Sequence, residues 1–412
     1  MGAFSTPLSG LTAAQDQLQS VSNNLANIDT NGYKEQTLTF SDIFSRTGVT
    51  NGSGNPLQTG AGVSIASTNS NFTGGNITPT GAPSNMALSG NGFFVTQGEN
   101  GLPHFTRAGD FSTNKAGQLT TPSGDLLLGL PAVNGAINTS AALQPLLVGS
   151  VTSPSVASTT VGITANLDST TPVGGVTNST LPAYDSLGTS HTLSVTYTKT
   201  AANTWDYVVT VPSTDITGGT GMTTPVGSGT LNFNSNGVLS STTGVVPISI
   251  PNLADGANSP LTLTGPFGTP GSPTITQTAL ASATNSTETD GFASGTMTTF
   301  MVQPDGTIEG TFSSGNTLEL GQVVVASFAN SQGLASVGNN QYQPTAASGA
   351  AVIGVAGTGG RGTIAGGSLE GSNVDIATEF AKLIVAQQAY SANAKSITTF
   401  NQVSQATIAM LQ

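Results

Sequence analysis

The chain of 412 residues has no cysteine, only two histidines and one tryptophan, and little charge: Lys and Arg number 8, Asp and Glu 20. Without cysteine, disulfides, thiolate catalysis and zinc-cysteine sites are excluded, and stability must come from packing. A formal net charge of -12 excludes nucleic acid as a partner, because neutralising phosphates needs clustered Lys and Arg. No Lys or Arg lies between Lys199 and Arg361, whereas Asp206, Asp215, Asp255, Glu288, Asp290, Asp305, Glu309 and Glu319 do. Ion pairs within that span are ruled out. No apolar run is long enough to cross a bilayer, so no membrane insertion is expected. Before Lys34 there is neither a basic region nor a continuous apolar core, so no cleaved signal peptide is expected either. An extracellular chain of this kind must leave the cell by another route.

Glycine (53), proline (21) and polar Thr, Ser and Asn are plentiful, and apolar residues reach 36%. This balance suits a β-rich extracellular structural protein of about two or three domains and argues against disorder.

Two segments depart from it. Leu11 to Asn31 has no Gly or Pro, and Leu11, Ala14, Leu18, Val21, Leu25 and Ile28 recur at spacings of three and four, which predicts a helix with one apolar seam. Ser372 to Gln412 also lacks both breakers. Ile376, Phe380, Leu383, Tyr390, Ala394, Ile397, Ile408 and Leu411 form a stripe there, and Ala386, Ala389, Phe400, Val403 and Met410 a second one. The resulting face is wider than one partner helix covers, so several neighbours are expected. Ser372, three residues before Asp375, is the expected start of a helix about 60 Å long. Such helices either close one globular domain as a hairpin or form an assembly surface; their position at both ends of the chain favours assembly.

Between them the sequence reads as β structure. Tyr33 to Phe44 looks extended and Gly48 to Gly62 reads as a Gly/Asn loop, so that Tyr33 to about Asn71 is a connector. Short strands follow between Asn85 and Leu130. Thr189 to Val211 alternates at period two, with Leu193, Val195 and Tyr197 on one face and Trp205, Tyr207, Val209 and Val211 on another, predicting a hairpin. A smaller hairpin turns at Asn236-Gly237. Pro/Gly/Ser-rich stretches near 149–154 and 266–273 mark an inserted domain. The expected fold is mainly β with terminal α-helices, nested as two β domains plus a helical coiled-coil segment. Residues 1–31 and 372–412 are the helical domain, 32–72 and 349–371 extended connectors, 73–148 and 278–348 an inner β domain, and 149–277 an outer one.

No catalytic, cofactor-binding or metal site is expected, and no enzyme. Gly357 to Gly362 fits GxGxxG but opens no helix, so it reads as connector. His104 and His191 lack a two-ligand spacing. Asp110 and Asp125 read as turn residues rather than a glycosidase pair, and Trp205 as a core residue rather than a sugar platform. The myristoylation pattern at Gly2 and the sequons at Asn71, Asn76, Asn138, Asn178 and Asn285 are short and carry no weight.

Two long motifs go further. SGLTAAQDQLQSVSNNLANIDTNGYK (Ser9 to Lys34) and LEGSNVDIATEFAKLIVAQQAYSANAKSI (Leu369 to Ile397) resemble the terminal signatures of the bacterial flagellar axial family of rod and hook proteins. Leu88 to Gly101 and Phe105 to Leu119 resemble the inner β domain that the family shares. Tyr184 to Thr200 and Leu320 to Tyr342 resemble its hook members rather than its distal-rod members, and the insert makes the chain longer than a typical distal-rod protein. Asn23, Asn24, Asn27, Gly32, Tyr33, Asn373 and Asp375 carry the family signature. Leu11, Leu18, Val21, Leu25, Ile28, Phe380, Leu383, Tyr390, Ile397, Ile408 and Leu411 are the expected polymerisation seam. The resemblance implies a structural subunit of a curved, hollow helical polymer outside the cell that passes torque from rod to filament. It further implies contacts with distal rod, hook cap and hook-filament junction proteins, and export through the flagellar apparatus. The alternatives are a distal-rod protein or, in another class, a secreted carbohydrate-binding or wall-lytic protein.

Overall fold

The computed structural model describes residues 2–50, 56–133, 135–244, 247–269 and 272–410. They form two compact units, one of residues 1–149, 299–310 and 318–412, the other of 150–298 and 311–317.

In the first unit, helix α1 (Gly2–Ala26) packs antiparallel to α2 (Ile376–Met410). Asn24 reaches Glu379 near one end, and a side chain at Gly10 would strike the Asn393 amide at 2.9 Å near the other. α1 starts before Leu11 and carries Pro7 in its second turn, where one backbone hydrogen bond of the helix is missing. It ends at Ala26, short of Asn31, in turns that lead to Gly32.

The stretch read as an extended segment and a Gly/Asn loop is instead one long antiparallel hairpin of β1 (Gln36–Thr50) and β2 (Pro56–Ser70). Its polar residues hid the strand signal because much of its pairing comes from backbone and hydroxyl bonds, such as Thr39 to Ser67. The hairpin runs beside α1, where Val63 N–H donates to Ser9 Oγ at 3.2 Å.

The rest of this unit is a sheet buried on both faces. Val325 pairs with Phe94, Thr96 with Leu127, Phe94 with Thr106 and Phe105 with Tyr342. Successive residues point to opposite faces, so Phe94, Leu127, Val323 and Val325 enter one core while Phe93, Leu128, Val324 and Ala326 enter another. That is why Val323 to Ala326 reads as a continuous apolar run. The late glycine-rich segment is not simply a connector: Thr363–Gly366 pairs with Met86–Ser89, and Ser368–Glu370 with Ile77–Pro79.

The second unit is built on a five-stranded antiparallel meander of Val176–Tyr184, Ser190–Ala201, Thr204–Pro212, Thr223–Phe233 and Leu239–Gly244. Tyr197 lies opposite Tyr207 and Val195 opposite Val209. The two apolar sets of this hairpin therefore share one face rather than two, since paired residues point the same way. Trp205 is wholly buried there and donates from Nε1 to Gln277 Oε1 at 2.9 Å. Val161–Asp168 pairs with Ile275–Thr278 and with Ala283–Thr289. The last strand, assigned to the inner β domain by sequence, is thus paired within this unit.

Candidate assembly interface

The two helices leave much of their apolar surface uncovered. On α1, Val21 and Ala14 are buried against the rest of the unit, and Leu11, Leu18, Leu25 and Ile28 are half-buried. On α2, Ala386 is buried and Leu383 and Ile397 are half-buried. Phe380, Tyr390 and Ile408 face solvent instead, as do Ile376, Ile384, Val385, Val403 and Met410. Leu411 lies outside the described residues. Val385 and Ile384 are 63% and 57% exposed, which sequence reading missed because neither falls on the stripe of heptad phase. Every residue from 398 to 410 is exposed. Along a helix of 35 residues, about 52 Å at roughly 1.5 Å per residue, apolar side chains thus stand open to water from end to end, spread around the helix rather than gathered in one stripe. Scattered apolar residues are ordinary on a protein surface; a run of them along one helix marks an interaction site.

The base of the helix pair is held by polar groups. Asn24 is buried: its amide donates to Gln36 O at 2.9 Å and Glu379 Oε2 at 3.1 Å, and its Oδ1 accepts from Gln36 N and the Tyr33 hydroxyl. Asn23 donates weakly to the Tyr33 hydroxyl, and Asn27 donates back to Asn23 O at 2.8 Å. Burial, with Glu379 and Glu35 nearby, pushes the Tyr33 phenol up to about 12, so it stays a neutral donor. Gly32 adopts φ +68° and its N–H donates to Glu370 O; a side chain there would come within 2.4 Å of the Ala108 nitrogen. Asn373 joins the arms, accepting from Glu35 N–H and donating to Asn71 O, each at 2.8 Å. Asp375, not Ser372, caps α2: its Oδ1 accepts from Thr378 N–H at 2.7 Å, so the helix starts at Ile376.

Two charge clusters that sequence reading did not single out complete this base. Lys34 and Arg107, both buried, converge on buried Glu370, Lys34 Nζ at 2.5 Å and Arg107 Nη1 at 3.3 Å. Glu370 also accepts from Gly75 N–H, and Arg107 donates to Leu88 O and Gly90 O. Burial lowers the Lys34 pKa, and the Glu370 carboxylate opposes that shift. Lys382 bridges Glu35 and Glu379, each at 2.6 Å. Burial would raise the Glu35 pKa, but Lys382 outweighs it and holds the carboxyl below its usual range. The available signal was scarcity: with 8 cations in the chain, each inside a family motif was a candidate for a specific partner.

A helix pair whose longer member leaves apolar residues open to water along its length is the subunit of an assembly rather than a finished globule. Four known domain families match the chain: "Flagella basal body rod protein" at 4–34, "Flagellar hook protein FlgE/F/G D1 domain" at 87–166, "Flagellar basal body protein FlaE D2 domain" at 148–292 and "Flagellar basal body rod FlgEFG protein C-terminal" at 365–410. The flagellar hook protein FlgE of Salmonella typhimurium is 35% identical over 97% of this chain and 98% of its own length. That of Treponema pallidum is 32% identical over 97% of each. Among solved structures, the Helicobacter pylori hook protein FlgE2 is similar over 70% of this chain and 98% of its own, with 16% identity and a TM-score of 0.48. The chain belongs to the flagellar hook protein family.

Proposed function

We propose that this chain is the structural subunit of a flagellar hook, polymerising through its terminal helices into a curved hollow tube that transmits torque from rod to filament. The observation that carries the proposal is the row of uncovered apolar residues along α2 in a full-length match to the hook family. Isolated helices gain little in water, so such a face is stabilised only when further copies cover it. A contact between copies that does not close into a ring extends into a helical filament. The expected seam adds Leu11, Leu18, Val21, Leu25 and Ile28 on α1 to Phe380, Leu383, Tyr390, Ile397, Ile408 and Leu411 on α2. Ile384 and Val385 join it because they are more exposed than most of these.

In this reading Asn23, Asn24, Asn27, Gly32, Tyr33, Asn373 and Asp375 do not meet neighbouring copies but fix the helix pair on its base. Residues 149–277 are the core of an outer domain, and the specific partners are distal rod, cap and junction proteins. Export through the flagellar apparatus is the route this reading implies. A structural role needs no catalytic group. The test is electron microscopy of purified chain under polymerising conditions, with and without Ile384→Asp and Val385→Asp together. Tubes from the wild type and none from the double variant support the proposal; tubes from both would refute the role of this face.

A further inference from the structure

We infer that the second unit carries a binding site for a divalent transition-metal ion, with zinc as the model ion, formed by Asp185, His191 and Asp255. One ligand atom from each of these residues lies within 4.8 Å of the other two. Asp185 and His191 are buried, and Asp255 is exposed, which leaves an approach from solvent. His191 Nε2 stands 3.1 Å from Asp185 Oδ2, close to the spacing of two ligands about 2 Å from one ion.

Each ligand is held by the fold. Asp185 closes the turn between Val176–Tyr184 and Ser190–Ala201; its Oδ1 accepts from Leu187 N–H and Thr189 N–H at 2.8 and 2.9 Å, which leaves Oδ2 directed at the imidazole. His191 follows on the next strand. Asp255 comes from the 252–258 loop, whose Asn258 N–H donates to Ser186 Oγ at 2.9 Å and ties the loop to the Asp185 turn. Asp255 Oδ1 also accepts from Ala257 N–H.

Asp215 supplies what a metal-bound imidazole needs from behind. Its Oδ2 lies 2.9 Å from His191 Nδ1. A carboxylate on Nδ1–H fixes the tautomer that turns the Nε2 lone pair towards the ion and raises its basicity. Ala254 N–H donates to Asp215 O, so this outer carboxylate and the Asp255 loop are joined through the backbone.

Charge supports the same assignment. Three carboxylates surround one imidazole, and Lys199 is the sole Lys or Arg between 150 and 298. Its ammonium is engaged elsewhere, donating to Ser169 O at 2.6 Å beside the Trp205 ring. No Lys or Arg therefore balances the site; without an ion its one positive group is His191 itself, held between Asp185 and Asp215, and an ion would take the place of the Nε2 proton. One imidazole with two carboxylates suits zinc and neighbouring first-row ions rather than calcium or magnesium, which favour all-oxygen sets. Three protein ligands leave the fourth position for water. The bound ion would clamp the 185–189 turn to the 252–258 loop, a structural role. Sequence spacing gives no hint of it, because the ligands come from three separate elements.

The test uses the full-length chain, freed of metal by chelation and kept below the concentration at which it polymerises. Zinc is added and thermal unfolding followed; cobalt is added separately and its visible absorption recorded. Asp255→Asn is the decisive variant, since Asp255 is exposed and the Asp185–His191–Asp215 contacts remain without it; His191→Gln is the second. At about a hundredfold excess over the dissociation constant, the unfolding midpoint of the wild type should rise by about 5 °C or more. Cobalt should give the visible bands of a low-coordinate site. In Asp255→Asn the affinity should drop at least about tenfold. A wild-type midpoint unmoved by zinc overturns the inference. So does an equal response in wild type and Asp255→Asn, which would place the ion elsewhere.

Discussion

In the second unit Tyr197, Trp205 and Tyr207 are almost wholly hidden, whereas on α2 Phe380, Ile384 and Val385 stand about half or more in water. α2 is the more apolar of the two in sequence, so composition does not explain the contrast. The meander can fold back on itself and close a core; a single long helix has too few neighbours within one chain to cover all its sides. One region is finished within the chain, and the other is completed by more copies. Substitution should therefore damage stability in the first and assembly in the second.

The largest effect tests whether the base of the helices is as finished as the meander. Glu370→Ala leaves Lys34 and Arg107 buried without their shared carboxylate, which should cost about 3–5 kcal/mol. Urea unfolding of the first unit measures it; a loss below about 1 kcal/mol would mean that water satisfies both cations and the base is loose. In the meander, Trp205→Ala empties a fully buried site and should cost about 3–5 kcal/mol. The resulting chain, if still folded, should polymerise through helices it has not altered; failure to do so would tie assembly to the second unit.

A smaller effect belongs to the helix cap. Asp375→Ala removes the acceptor of the Thr378 amide and should cost about 1 kcal/mol, read as fraying of the first turn of α2 by amide exchange. Asp375→Asn, which keeps the acceptor, should recover most of it. Smallest for the monomer is Ile384→Ser, within about 0.5 kcal/mol of wild type on an exposed position, yet it should raise the critical concentration for polymerisation. An unchanged critical concentration would erase the contrast between the two regions at that position.

Acid supplies a further probe. Glu35 has its folded pKa below the ordinary 4.5, because Lys382 holds the carboxylate form. Its contribution is present above pH 4.5 and is lost as pH falls through the depressed folded value. Lys382 is raised above 10.5; burial alone would lower it, but Glu35 and Glu379 prevail. That contribution is complete below 10.5 and lost as pH rises through the folded value. The helix base should therefore loosen at both extremes and be firm between them. Lys382→Met should remove both limbs from a stability profile; limbs that persist in the variant would have to come from other groups.

Sequence periodicity was enough to locate what depends on neighbours along the chain. The helices, the 189–211 hairpin and the turn at Gly237 were all legible, since spacings of three and four or of two report directly on which side of an element is apolar. The wide apolar face of α2 was legible too, for the same reason. The β1–β2 hairpin was not, because its polar residues carry no alternation and only pairing with a second strand identifies them as strand.

The sequence by itself determined the class of protein, through two long motifs, and the order of its elements. Tertiary structure alone decided which residues each motif uses. Lys34 and Glu370 meet across 336 residues of chain, and Asp185, His191 and Asp255 gather from a turn, a strand and a loop. Such meetings are set by strand register and helix packing, and a side chain's distant partner leaves no trace in the spacing of its neighbours. The same holds for exposure: Ala386 is buried and Val385 open to water, although they are adjacent apolar residues. The turn of the helix, fixed by where α1 lies, places one inward and the other out.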